Sequence, residues 1–214
     1  MIKAVIFDMD GVISDTQKLH AKVEEEILSR FGICISSEEI TKRYAGVKTN
    51  EFFDELLKRQ EQPYNLDQLM EEKWKRMEEL ASKSIDEIEG ATKLIQGLYN
   101  SGFKMAVASA SNQIYVKNVI RSLGLEKYFK FLISGDMVSS GKPSPEIFLL
   151  AASKLEVNPI NCLVIEDGVS GMQAAKAGNM KCIGLVDSKN KEYPIKNLVL
   201  SLDEITSEYL DNLI

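Results

Sequence analysis

The apolar run Ala4 to Phe7 reads as a short strand, and the next strand-like run does not come until residues 105–109. Between them, from about residue 16 to residue 84, apolar residues recur at helical spacing: Val23 and Ile27, then Ile40, Phe52, Leu56 and Leu57, and later Leu69, Met77 and Leu80. The punctuation agrees. Gly32 lies just past the first helical stretch, Ser36 and Glu39 have the spacing of a capping box, and Asn65 precedes another amphipathic stretch that contains Trp74. The pattern predicts a small helical insertion over residues 16–84.

Beyond Ile85 the period changes. Strand-like runs at 105–109, 131–134, 162–165 and 182–185, with a weak one at 198–200, alternate with helical stretches at 92–101, 114–123, 145–154 and 172–177. Ser144 is placed to cap a helix, Pro145 suits its first turn, and Gly178 suits a helix end. Strands alternating with helices of this length imply a parallel sheet covered on both faces. The expected fold is therefore α/β, a Rossmann-like parallel core built from residues 1–15 and 85–214, with residues 16–84 inserted as a helical cap.

Composition narrows the field of functions. A chain of 214 residues allows one sizeable core plus a modest insertion. With 26 Lys and Arg against 32 Asp and Glu, the net charge of -6 argues against a nucleic-acid partner, which would need a basic surface. The N-terminal apolar run is too short for a secretion signal, no stretch approaches a membrane span, and the expected setting is the cytoplasm. Cys34, Cys162 and Cys182 are widely spaced and odd in number, which fits reduced thiols; Cys162 and Cys182 are expected to be small core residues on strands. A monomer or weak homo-oligomer is expected.

Candidate chemistry sits where strands end. In an extended chain residues two apart share a face, so Asp8 and Asp10, just after the first strand, can enter one crevice together. Ser109 closes the second strand, Lys142 lies in a turn after the third, and Glu166 and Asp167 close the fourth. This set suits phosphoryl transfer. A phosphomonoester dianion repels a carboxylate nucleophile, so Mg²⁺ is needed between them, and Glu166 and Asp167 can supply oxygen ligands. A fixed ammonium, Lys142, and a hydroxyl beside backbone N–H groups, Ser109, can hold the transferred group. Asp10 is assigned as the acid and base of a two-step reaction.

The segment from Phe7 to Thr16, FDMDGVISDT, resembles the D-x-D-G-x-x-x-D-[ST] signature of haloacid dehalogenase superfamily phosphatases, in the branch that includes β-phosphoglucomutase. The segments at 107–112 (VASASN), 141–148 (GKPSPEIF) and 165–171 (IEDGVSG) resemble the second, third and fourth signatures in order, so the likeness runs nearly end to end. It implies that Asp8 forms an aspartyl-phosphate, that Asp8, the Asp10 carbonyl, Glu166 and Asp167 hold Mg²⁺, and that Ser109, Ala110, Ser111, Asn112 and Lys142 bind the phosphoryl group. It also implies a cap hinged near Thr16 and Ile85 that closes over a small phosphorylated metabolite of sugar or polyol type.

Asp10 argues against the dehalogenases of the superfamily, which lack a second aspartate. β-Phosphoglucomutase is the closer alternative. Its cap turn reads like G-V-S-R, whereas this chain has Gly46, Val47, Lys48 and Thr49, with threonine at the arginine position; Asn112 likewise stands where the mutase has lysine. Lys48 cannot reproduce the planar fork with which arginine grips a second phosphate, so hydrolysis is favoured. A non-catalytic metabolite-binding protein on the same scaffold is the remaining alternative. His20, the only histidine, matches a histidine of the mutase's closed site and is a candidate substrate contact along with Lys48. Lys73 loosely resembles a substrate-facing cap lysine, while Trp74 and Met77 are expected to be cap core.

Overall fold

The structure, a computed structural model, describes residues 1–44, 47–60, 62–81 and 85–213. Gly46 of the cap turn, Ser84 at the end of the expected cap and residue 214 of the expected core lie outside the described residues. The elements are β1 (Ala4–Phe7), α1 (Gln17–Ser29), α2 (Ser37–Tyr44), α3 (Thr49–Leu57), α4 (Leu66–Ala81), α5 (Ala91–Asn100), β2 (Lys104–Ala108), α6 (Gln113–Ser122), β3 (Phe131–Ile133), α7 (Glu146–Leu155), β4 (Cys162–Glu166), α8 (Val169–Ala177), β5 (Lys181–Leu185), β6 (Leu198–Val199) and α9 (Ser207–Asp211). Every strand and helix expected from the hydrophobic period is present, with ends moved by a residue or a few; α9 was not foreseen.

The six strands form one parallel sheet in the order β3-β2-β1-β4-β5-β6. Side-chain alternation divides the core into two. Val5, Phe7, Met105, Val107, Leu163 and Ile165 face one way, against α5, α6 and the helical insertion. Ala4, Ile6, Ala106, Ala108, Cys162 and Val164 face the other way, against α7 and α8. Cys162 and Cys182 are buried strand residues, and Cys34 is exposed. Among the described residues no helix is long and apolar enough to cross a membrane.

Strand order reverses between β1 and β4, the place where an open parallel sheet leaves a crevice at its carboxyl edge. Helices α1 to α4 leave the sheet after β1 and pack on one another. They are closed off locally as the sequence suggests: Ser36 Oγ accepts the Glu39 N–H, Asn65 Oδ1 accepts the Gln68 N–H, and Gly32 turns the chain with φ of 72°. Ser144 Oγ accepts the Glu146 N–H, and Asn179, not Gly178, takes the left-handed turn after α8.

Phe148 of α7 is fully buried, and the Lys142 ammonium lies 4.9 Å from its ring centroid. Phe148→Ala is expected to cost about 3–5 kcal/mol of unfolding free energy. A urea titration showing less than about 1 kcal/mol of loss would mean that this side chain does not carry the packing assigned to it.

Candidate active site

Asp8 leaves β1 almost completely buried, and the Lys142 ammonium donates to its Oδ1 at 2.5 Å. The same ammonium donates to Glu166 Oε1 at 2.7 Å, and the Gly168 N–H donates to the other Glu166 oxygen. Asp167 Oδ2 accepts from Gln17 Nε2 at 2.8 Å. Asp8, Glu166 and Asp167 each present a carboxylate oxygen, all within 4.8 Å of one another. Three hard oxygen donors so close together are the donor set that Mg²⁺ takes, and this cluster fits such an ion.

Two glycines make the crowding possible. At Gly11, φ is 91° and a Cβ would fall 2.2 Å from Asp167 Oδ2; at Gly171 a Cβ would fall 1.7 Å from Glu166 Oε1. The glycine of the first signature thus answers both a left-handed turn and the carboxylate above it.

Asp10 is held differently. Its Oδ1 accepts from Thr16 Oγ1 at 2.5 Å, and its Oδ2 accepts from Ser109 Oγ at 3.1 Å and Ser111 Oγ at 3.0 Å. His20 Nε2 lies 3.2 Å from Oδ1, close enough for an ion pair when the imidazole is protonated but not aligned as a hydrogen bond.

The two aspartates are driven in opposite directions. Burial pushes the Asp8 carboxyl up to about 7; Lys142 opposes the rise, and Glu166 and Asp10 add to it. Burial also raises Asp167, well above the usual carboxylate range, with Glu166 and Asp8 adding. At Asp10 burial acts upward too, but the His20 charge and the bonds from Thr16 and Ser111 outweigh it and hold the group below that range. Lys142 is raised despite burial by Asp8 and Glu166, so it stays charged.

The cavity beside these groups measures about 60 Å³ and is roofed by the helical insertion. Asp8, Asp10, Ala110 and Ser111 line it from the sheet side, and His20, Glu24, Thr49, Lys73 and Trp74 line it from the helices. Ser109 and Lys142 sit behind that lining. Trp74 serves cavity and core together, while Met77 is wholly core. Tyr115 of α6 packs edge-on against His20 at 5.2 Å between centroids and fixes the imidazole over Asp10.

Lys48 and Asn112, candidate substrate contacts, also stand outside the cavity lining. Lys48 donates to the Val138 carbonyl at 2.6 Å, and with Glu51 Oε1, which accepts the Gly141 N–H at 2.8 Å, it joins the insertion to the loop that carries Lys142. Asn112 Oδ1 caps α6 by accepting the Tyr115 N–H at 2.7 Å. Gln17 and Glu24 were missed. Gln17 directly follows the first signature, and Glu24 is one helical turn beyond His20, so a helix-face reading of α1 could have found it.

The sequence profile of the haloacid dehalogenase-like hydrolases matches residues 5–185. A phosphorylated carbohydrates phosphatase of Thermotoga maritima is 33% identical over 190 residues, covering 88% of each chain. A β-phosphoglucomutase of Bacillus subtilis is 31% identical over 191 residues, covering 86% of this chain and 83% of its own. The crystal structure of a β-phosphoglucomutase from Clostridium difficile superposes with a TM-score of 0.86 at 29% identity, covering 100% of this chain and 97% of that one. The chain belongs to the haloacid dehalogenase-like hydrolase family.

The buried carboxylates predict a pH dependence. A carboxyl raised from 3.8 to about 7 by folding contributes stability below its unfolded pKa that is lost as pH rises through the folded value. Asp167 has the same sign, and Asp10 acts only at lower pH. With a chelator present, the melting temperature is expected to fall as pH rises from about 5 to about 8. A melting temperature that stays flat or climbs over that interval would contradict the arrangement.

Proposed function

We propose that this hydrolase is a Mg²⁺-dependent phosphomonoesterase acting on a small phosphorylated carbohydrate or polyol, with residues 1–15 and 85–214 as the catalytic core and residues 16–84 as a cap. The observation that carries the reading is the clustering of Lys142, Glu166 and Asp167 around Asp8, from three strand ends, beside a roofed cavity that Asp8 and Asp10 line. The phosphorylated carbohydrates phosphatase among its relatives supports the substrate class.

Asp8, Glu166, Asp167 and the Asp10 carbonyl would hold the Mg²⁺. Bound there, the ion would offset the negative charge shared by the phosphoryl group and the carboxylates. Asp8 attacks phosphorus and forms the aspartyl-phosphate as the bond to the leaving oxygen breaks; Asp10 gives that oxygen its proton. In the second half water attacks phosphorus, Asp10 takes the proton, and the Asp8–phosphorus bond breaks. An ionised Asp10, as its surroundings favour here, is the form the second half needs. A bound dianion raises the same group toward the acid form by its own charge.

Lys142 orients Asp8 and keeps Glu166 compensated. Ser109, Ala110, Ser111 and Asn112 would cradle the phosphoryl oxygens through the turn that follows β2. The contacts of Lys48 and Glu51 to the loop at 138–141 would keep the cap closed during turnover.

The mutase reading draws on the β-phosphoglucomutase relatives, but a second phosphate needs its own cationic grip. Thr49, at the arginine position, is bonded to Lys73 and Glu24, and among the described residues no arginine lines the cavity.

Phosphate release from a panel of sugar and polyol phosphates is expected with Mg²⁺ and not with a chelator. Asp8→Asn is expected to lower kcat by roughly 10⁴-fold or more. Retention of activity by that variant would exclude the aspartyl-phosphate route. Interconversion of hexose 1- and 6-phosphates that needs a bisphosphate activator, with no net phosphate release, would support the mutase instead.

A further inference from the structure

Opposite Asp8 and Asp10, the cavity wall carries an ion pair that the reaction above does not use. Glu24 of α1 and Lys73 of α4 are 5% and 1% exposed, and the Lys73 ammonium donates to Glu24 Oε1 at 2.6 Å. Thr49 of α3 donates to the same oxygen at 3.1 Å and also accepts from Lys73. The ammonium lies 4.5 Å from the centroid of the Trp74 ring. Three helices thus converge on one polar cluster, and all four residues line the cavity.

Burying such a pair is not an economical way to join helices, because apolar side chains of like volume would hold them as well or better. Its place on the cavity wall gives it another use. Among the described residues, Lys73 donates to Glu24 and Thr49, which leaves one of three N–H groups for a ligand. Glu24 takes both bonds on Oε1, which leaves Oε2 as an acceptor. An alcohol both donates and accepts, so neighbouring hydroxyls can bond Glu24 Oε2 and the Lys73 ammonium at once, with the Trp74 face against their C–H groups. An anionic leaving group meets the opposite situation. Lys73 is the one lysine or arginine lining the cavity among the described residues, and Glu24 already neutralises it.

We infer that Glu24 sets the charge selectivity of this enzyme: paired with Lys73, it makes the cap wall a reader of neutral, polyhydroxylated leaving groups and a barrier to leaving groups that carry a carboxylate or a second phosphate. The inference rests on the phosphatase reading and names the residue that enforces its substrate class. It is discrimination by denying an anionic leaving group a free cation as much as by attraction to hydroxyls.

The test compares sorbitol 6-phosphate with 6-phosphogluconate, open-chain esters that differ at the far carbon by a neutral alcohol against a carboxylate. For the unaltered enzyme kcat/KM is expected to favour sorbitol 6-phosphate. Glu24→Gln, which keeps an acceptor and frees the Lys73 charge, is expected to shift that ratio toward 6-phosphogluconate by roughly tenfold or more, mainly through KM. A ratio that moves by less than roughly twofold would overturn the inference.

The double variant Glu24→Leu/Lys73→Met replaces the pair with apolar side chains and covers the case in which Glu24→Gln does not fold. It is expected to lose the preference for the neutral ester, and an unaltered preference in it would equally overturn the inference. If the unaltered enzyme hydrolyses neither ester, the phosphatase reading fails separately. The same ratio is then read from Kd values measured by calorimetry with Mg²⁺ present, where the Glu24→Gln shift is expected and its absence counts against Glu24.

Discussion

One buried ammonium among three carboxylates is the constraint on which the site depends. Lys142 touches Asp8 and Glu166 directly, and Asp167 lies within the same cluster. With all three acids ionised the group would carry a net charge of -2, from three carboxylates and one ammonium, a state that burial strongly disfavours. The fold meets part of that cost locally. The Gly168 N–H serves Glu166, Gln17 serves Asp167, and Phe148 presents its ring to the ammonium. Gly11 and Gly171 leave room for carboxylate oxygens where any Cβ would collide. What remains is a pocket that holds protons or a cation, and that is the condition a metal-assisted nucleophile needs.

The same sheet edge sets Asp8 and Asp10 two residues apart in different surroundings. Asp8 lies deep, among other acids and one lysine. Asp10 faces hydroxyls from Thr16, Ser109 and Ser111, with His20 alongside. Burial acts upward on both, and only at Asp10 do the His20 charge and the hydrogen bonds from the hydroxyls outweigh it. Two chemically identical side chains are thereby given opposite acidities by what packs around them, which suits the nucleophile and proton-carrier roles proposed for them.

Much of this was legible from the chain alone, because local signals and global fold agree. The alternation of strand and helix after residue 85 gave the sheet, and its parallel order then required Asp8, Lys142 and Asp167 to approach one another whatever the details of packing. The helical insertion resisted the same reading. Which face of each helix turns inward depends on how α1, α3 and α4 meet, and apolar spacing says little about a polar cluster such as Glu24, Thr49 and Lys73. Lys48 shows the limit most plainly: the turn that carries it was recognised, but its side chain runs along the seam to Val138 while Thr49 faces the cavity.

The proposed division of labour gives both halves of the phosphoryl transfer to the sheet edge and the choice of substrate to the helices. The central claim is that Asp8 is the atom donor to phosphorus. An acid quench during turnover of a radiolabelled phosphoryl substrate, followed by peptide mapping, tests this most directly. The predicted result is acid-stable, base-labile label on the peptide that carries Asp8, absent from Asp8→Asn. Label on another side chain, or turnover that never labels the protein under conditions that slow the second half, would contradict the claim.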